Sequence, residues 1–154
     1  MTVAFRRRGG IIEVGLEPAA RTVLATLPSW LATVGRDAGD PAARRLSPPG
    51  VLDDPVADLE FRRLTGADLD AARSADRDRF EATVRTAETL SEADAEAWLR
   101  VIGDARLVLA ARCGITVGDD DHWERAVEDR PELGMVAWLG AIQELLVTTM
   151  MEER

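Results

Sequence analysis

The chain has 154 residues, of which 46% are hydrophobic and 31% are charged, and this balance suits one folded domain, expected to span 1–154. Its net charge of −9 argues against broad attraction to nucleic acid or to an anionic membrane, because both need clustered positive charge. A single cysteine excludes an intramolecular disulfide, and the first residues lack the apolar core of a signal peptide, so we expect a cytoplasmic protein.

A β-hairpin over residues 2–16 is the first predicted element. Gly9 and Gly10 stand between two short segments rich in Val, Phe and Ile, and a two-residue hairpin turn needs the positive φ that glycine supplies. Because an isolated hairpin is marginal in water, one of its faces should pack on helices.

Helical periodicity then predicts most of the remaining chain. The predicted helices span about 18–34, 55–64, 66–89, 92–113 and 132–151, and a long loop spans 35–54. Pro28 should kink or split the first helix, since proline cannot donate to the preceding turn. The fold class is therefore mainly α, a helical bundle of four to five helices with an N-terminal β-hairpin.

Three details refine the middle helices. Thr65 is predicted to cap a new helix, with Val56, Leu59 and Leu64 directed inward before it. Ser91 and Asp94 have the spacing of a capping box, and Gly114 suits the residue after a helix end. The helix between them has two apolar faces, which predicts a central position beside the last helix.

The last predicted helix is the least polar segment, because Glu144 is the only charged residue from Leu133 to Met151. Such a helix should be buried on nearly all sides, within its own bundle or against a second chain. Gln143 and Glu144 at its middle argue against a membrane span. We expect the following residues to be core or dimer-interface anchors: Trp138, Leu139, Ile142 and Leu145.

No catalytic constellation, cofactor fingerprint or metal motif is visible, so we expect a non-enzymatic protein. The acidic run Asp119–His122 lacks the spacing of an EF-hand, and we interpret it as a solvated loop. His122 is the sole histidine, and Cys113 follows an apolar run that suggests a buried thiol.

Arg6, Arg7 and Arg8 have two interpretations. They can protect an edge strand from aggregation by their charge. Alternatively they form a basic patch that docks an acidic partner or a phosphate.

The basic residues are all arginine, and the chain has no Lys, Asn or Tyr, which indicates a GC-rich bacterial genome. The order of its motifs resembles an actinobacterial group of proteins classed as a domain of unknown function. The motifs that carry the resemblance are Arg7–Gly10, Leu16–Pro18, Glu60–Thr65, Ala95–Leu99, Asp104–Leu109, Trp138–Leu139 and Gln143–Glu144. The resemblance implies no known activity and no catalytic residues. Genes of the group often lie beside the adaptor of the Clp protease, and some members are labelled transcriptional regulators.

The leading functional prediction is a protein-interaction or regulatory module that works as a homodimer through the last helix, with a protein partner linked to Clp proteolysis. The alternative is a DNA-associated regulator, which would need Arg6–Arg8 and Arg62–Arg63 to converge despite the net charge of −9.

Overall fold

A computed structural model describes residues 3–35, 39–46, 54–114 and 130–153. Over these residues the chain forms six helices and a small three-stranded antiparallel sheet. The mainly α fold with an N-terminal hairpin is therefore confirmed.

The sheet is built on the predicted hairpin. Strands β1 (Phe5–Arg8) and β2 (Ile11–Val14) pair antiparallel, with Phe5 opposite Val14. Gly9 provides the positive φ of the turn, at +60°. A third strand, β3 (Thr89–Ser91), pairs with β2 and was not predicted, because three residues are too few to show an alternating pattern.

The first predicted helix is split into two helices near Pro28, as the position of this proline predicted. Helix α1 covers Pro18–Ala25 and α2 covers Leu27–Ala32, with Pro28 in the first turn of α2, where a missing N–H costs little. Helix α3 (Pro41–Leu46) lies within the predicted loop 35–54 and buries Ala42, Ala43 and Leu46.

Helix α4 (Pro55–Val84) corrects the prediction of two helices over 55–64 and 66–89. Thr65 does not cap a new helix, because its hydroxyl donates to the Phe61 carbonyl one turn earlier and the helix continues. The helix also ends before residue 89, since the chain from Thr89 joins the sheet.

The N-terminal half of α4 lies at the surface, which corrects a second expectation. Val56, Leu59 and Leu64 were predicted to face inward, but they are 78%, 71% and 67% exposed. Among the residues of this helix whose burial the structure describes, the fully buried ones are Phe80 and Val84, in its C-terminal half.

Helix α5 (Glu92–Arg112) is the centre of the fold, as predicted, and packs against α2, α3, α4, the sheet and α6 (Glu132–Met151). The capping box is present, because Asp94 N–H donates to the Ser91 hydroxyl and Ser91 N–H donates to the Asp94 carboxylate. Trp98 is fully buried between Phe5 and Phe80, and its indole N–H donates to the Thr83 hydroxyl at 2.8 Å.

Candidate functional site

Helix α6 has one face in the core. That face repeats at steps of three and four residues, as helical geometry requires. Its buried members are Leu133, Val136, Leu139, Ile142, Leu146 and Thr149. They pack mainly against α5, and the end of the helix lies against β1. The inner face therefore accounts for fewer than half of the apolar residues that the sequence places in this helix.

The opposite side of α6 is not covered by any residue that the structure describes. We call its exposed residues the outer face: Ala141, Glu144, Leu145, Val147, Thr148 and Met151. Leu145 is 49% exposed and Met151 is 80% exposed. Burial of α6 on nearly all sides within its own bundle, one of the two expected alternatives, is therefore not found among the described residues. Glu144 is the only charged residue of the outer face.

The four predicted interface anchors fall into three environments. Leu139 and Ile142 belong to the inner face, at 0% and 6% exposure. Leu145 belongs to the outer face, and Trp138 is half-buried at the boundary, where it packs against the edge of the core. The sequence could not separate them, because a helix that is apolar all round gives no periodic signal to mark its inward side.

One edge of the outer face carries a positive charge from α5. The Arg106 guanidinium lies over Gly140, with Nε only 3.4 Å from the position that a Cβ on Gly140 would occupy. It also donates to the Gln143 side-chain oxygen at 3.3 Å. A close helix approach occurs again at Gly103, where an added Cβ would lie 3.0 Å from the Gln143 amide nitrogen. Small residues thus let α5 and α6 pack tightly along this edge.

The basic patch of Arg6, Arg7 and Arg8 is divided by the structure. The Arg7 side chain is only 5% exposed, pairs with Glu92 at 2.6 Å and donates to the Met150 carbonyl. Arg8 pairs with Glu13 at 2.8 Å on the neighbouring strand. Arg7 therefore ties the hairpin to the start of α5 and the end of α6, and it does not lie on a basic surface with Arg6.

Charged residues between α4 and α5 form a second cluster, which the sequence only partly indicates. The Asp76 carboxylate accepts two hydrogen bonds from the Arg100 guanidinium, at 2.7 and 2.9 Å. This pairing raises the pKa of Arg100. Asp104 is less well compensated: burial raises the pKa of its carboxyl, although Arg73 and Arg77 act in the opposite direction.

The remaining candidate for chemistry, Asp119–His122, lies outside the described residues. Within the described ranges, no group of three or more His, Cys, Asp or Glu residues could hold a metal ion. Cys113 is a free, half-buried thiol at the end of α5.

Among the described residues, one segment is long and apolar enough to cross a membrane by length and composition, and it is Leu133–Met151 of α6. About a third of it is buried within the chain. Core helices of soluble proteins pass the same test, so the property reflects the apolar composition already described.

No curated protein and no solved structure matches the chain. One family model does match, over residues 2–150, and its description is a domain of unknown function, DUF2017. Because this match covers nearly the whole sequence, the chain belongs to the DUF2017 family.

Proposed function

We propose that this protein is a non-enzymatic interaction or regulatory module that works as a homodimer, in which two copies cover each other's outer face of α6. The observation that carries the proposal is the exposure of Leu145, Val147 and Met151 on a helix with almost no charge. Exposed apolar surface of this kind is typical of a protein contact, and homodimer interfaces are more apolar than other interfaces.

Charge favours a second copy as the occupant. Each copy carries a net charge of −9, so random association of two copies is opposed by repulsion. The outer face of α6 contains one carboxylate, Glu144, and therefore offers a surface on which two copies can approach with little repulsion.

The available area also bears on the occupant. A 20-residue helix is about 30 Å long and about 10 Å across, so it presents roughly 300 Å² in projection. A standard interface buries about 800 Å² on each partner. Residues flanking α6 must therefore join the contact, and Leu107, which follows Arg106 on α5 and is 43% exposed, offers further apolar surface.

The alternative of a DNA-associated regulator gains no support from the arginines that it needs. Arg7 is buried in an ion pair and Arg8 is paired with Glu13, so the N-terminal arginines do not converge on one surface. An actinobacterial source, a cytoplasmic location and a partner linked to Clp proteolysis remain predictions from the sequence.

A pair of matched variants tests the homodimer. Leu145→Glu places a charge on the outer face of α6, whereas Leu59→Glu places the same charge on α4 at a leucine that is 71% exposed. Light scattering coupled to size exclusion should give the wild type a mass of twice 16.8 kDa. Leu145→Glu should be a monomer with an unchanged circular dichroism spectrum, and Leu59→Glu should remain a dimer.

Three results would overturn the proposal. The first is a wild type that is monomeric at micromolar concentration. The second is a dimer that survives Leu145→Glu and dissociates with Leu59→Glu, which would place the interface on α4. The third is a chain that stays monomeric and binds phosphatidylcholine vesicles through α6, which would make lipid the occupant of this face.

A further inference from the structure

Among the described residues, Glu144 of the outer face of α6 and Arg106 beside that face lie on the same edge. Glu144 follows Gly140 by one helical turn, so the two residues share a side of α6. The Arg106 guanidinium lies over Gly140 and reaches Gln143. This edge therefore carries a positive group at the level of residues 140–143 and a negative group just beyond it.

These two charges do not neutralise each other within the chain. Glu144 is exposed and forms no ion pair with any residue that the structure describes. Arg106 is also exposed, and it donates a hydrogen bond to the neutral side-chain amide of Gln143. A carboxylate in a largely apolar contact is costly unless it meets a cation, so the homodimer needs a partner for Glu144.

Symmetry decides which edges can meet. In a parallel pair of helices, the two-fold axis is parallel to both helices. The edge of one copy that carries Glu144 then meets the opposite edge of the second copy, which carries Trp138 and Leu145. In an antiparallel pair the axis is perpendicular to the helices, and like edges coincide. Only the antiparallel pair brings Glu144 towards a guanidinium.

We propose that two copies pair their α6 helices antiparallel about a two-fold axis close to Ala141, with Glu144 of each copy bound to Arg106 of the partner subunit. The proposal rests on the homodimer proposed above and adds its register. Positions along the axis of α6 agree with this register. Arg106 lies at the level of residues 140–143, and rotation about a two-fold axis near Ala141 brings it to within one helical turn of Glu144 in the other copy.

The shapes of the two faces suit the same register. An axis near Ala141 places the large side chain of Leu145 against the partner subunit's Ala137 and Ala141. Large residues opposite small ones allow two helices to approach closely without overlap. The pair of Glu144 and Arg106 also occurs twice in the dimer, once on each side of the two-fold axis, as an isologous interface requires.

Charge exchange tests this register directly. Glu144→Arg and Arg106→Glu each place like charges opposite one another at two sites, and each should raise the dimer dissociation constant by roughly tenfold or more at low salt. The double variant Glu144→Arg/Arg106→Glu restores opposite charges and should return the constant to within about threefold of the wild type. Arg85→Glu, an exposed site on the C-cap of α4 with the same change in net charge as Arg106→Glu, is the control and should leave it unchanged.

The outcomes separate this inference from the proposed function. Suppose that the wild type is a dimer that Leu145→Glu dissociates, but that the loss of dimer affinity in the double variant equals the sum of the losses in the single variants. The register is then wrong and the homodimer stands. If Arg85→Glu weakens the dimer as much as Arg106→Glu, net charge is responsible and the specific pair is wrong. A monomeric wild type rejects both.

Discussion

Helices α5 and α6 are nearly equal in length, at 21 and 20 residues, but their composition and surroundings are opposite. Helix α5 is contacted from several directions and still carries seven charged residues. Helix α6 is contacted chiefly on one side and carries two, Glu132 and Glu144. The more enclosed helix is thus the more polar one, and α6 has more apolar surface than the described residues of its own chain bury.

The difference follows from where each helix places its charges. In α5 the ion pairs lie at the margins, where Asp94 meets Arg79 and Arg100 meets Asp76, so that the faces between them are free for packing. In α6 the outer face has no such polar cover. This contrast is the physical reason for proposing that a second copy covers α6.

The largest expected effect is at the centre of α5. Trp98→Ala should lower the free energy of unfolding by about 3–5 kcal/mol, because it opens a cavity between Phe5 and Phe80. Urea denaturation measures it, and the loss should be the same at every protein concentration. Thr83→Val, which removes the hydroxyl that accepts from the Trp98 N–H and donates to carbonyls of its own helix, should cost about 1–3 kcal/mol. A Trp98→Ala loss below that of Thr83→Val would contradict the central role of this tryptophan.

Two leucines of α6 sharpen the comparison between its faces. Leu139→Ala should cost about 2–5 kcal/mol at every concentration, since the side chain is fully buried against the core. Leu145→Ala should leave the unfolding of the monomer within about 1 kcal/mol of the wild type but weaken the dimer. Thermal melting over a hundredfold range of concentration distinguishes them. Equal effects of the two substitutions on the isolated monomer would show that the faces are wrongly assigned.

Trp138 lies between these extremes, and its substitution should affect both properties. Trp138→Ala should lower the unfolding free energy of the monomer by about 2 kcal/mol, because the ring is only half-buried against the core. It should also raise the dimer dissociation constant, since the exposed part of the ring borders the outer face. A variant that keeps both its melting temperature and its mass would contradict this placement.

The smallest expected effect is at the start of α5. Burial alone would raise the pKa of Asp94, but hydrogen bonds from Ser91 and the charge of Arg79 outweigh it, and the pKa of this carboxyl is lowered. The stabilisation is therefore complete above the ordinary pKa of about 3.9 and is lost as the pH falls through the lower folded value. Asp94→Asn should cost about 1 kcal/mol near neutral pH and progressively less on acid titration. A cost that does not change with pH would show that the charge of Asp94 contributes nothing.

Local signals explain which parts of the fold could be predicted from the sequence. Gly9, Pro28 and the Ser91–Asp94 box each act on the backbone within a few residues, and all three are found as expected. The prediction that Thr65 caps a new helix was wrong, because a threonine hydroxyl can also donate to a carbonyl of the preceding helical turn. Strand β3 and the Asp76–Arg100 pair depend on long-range contacts that no local pattern records.

The candidate site shows the same division. The scarcity of charge in α6 was evident from the sequence, whereas the orientation of the helix was not. Leu139 and Leu145 are chemically identical and differ only in what packs against them. The role of Arg7 was hidden for a related reason. Its partners, Glu92 and the Met150 carbonyl, are distant in sequence and become neighbours only in the folded chain.

The most direct test of the account is sedimentation equilibrium of the wild-type protein over a concentration series from below one micromolar to tens of micromolar. The account predicts a reversible equilibrium between a species of 16.8 kDa and one of twice that mass, with the larger species dominant at the upper concentrations. A single species of 16.8 kDa throughout the series would contradict the claim that a second copy covers the outer face of α6.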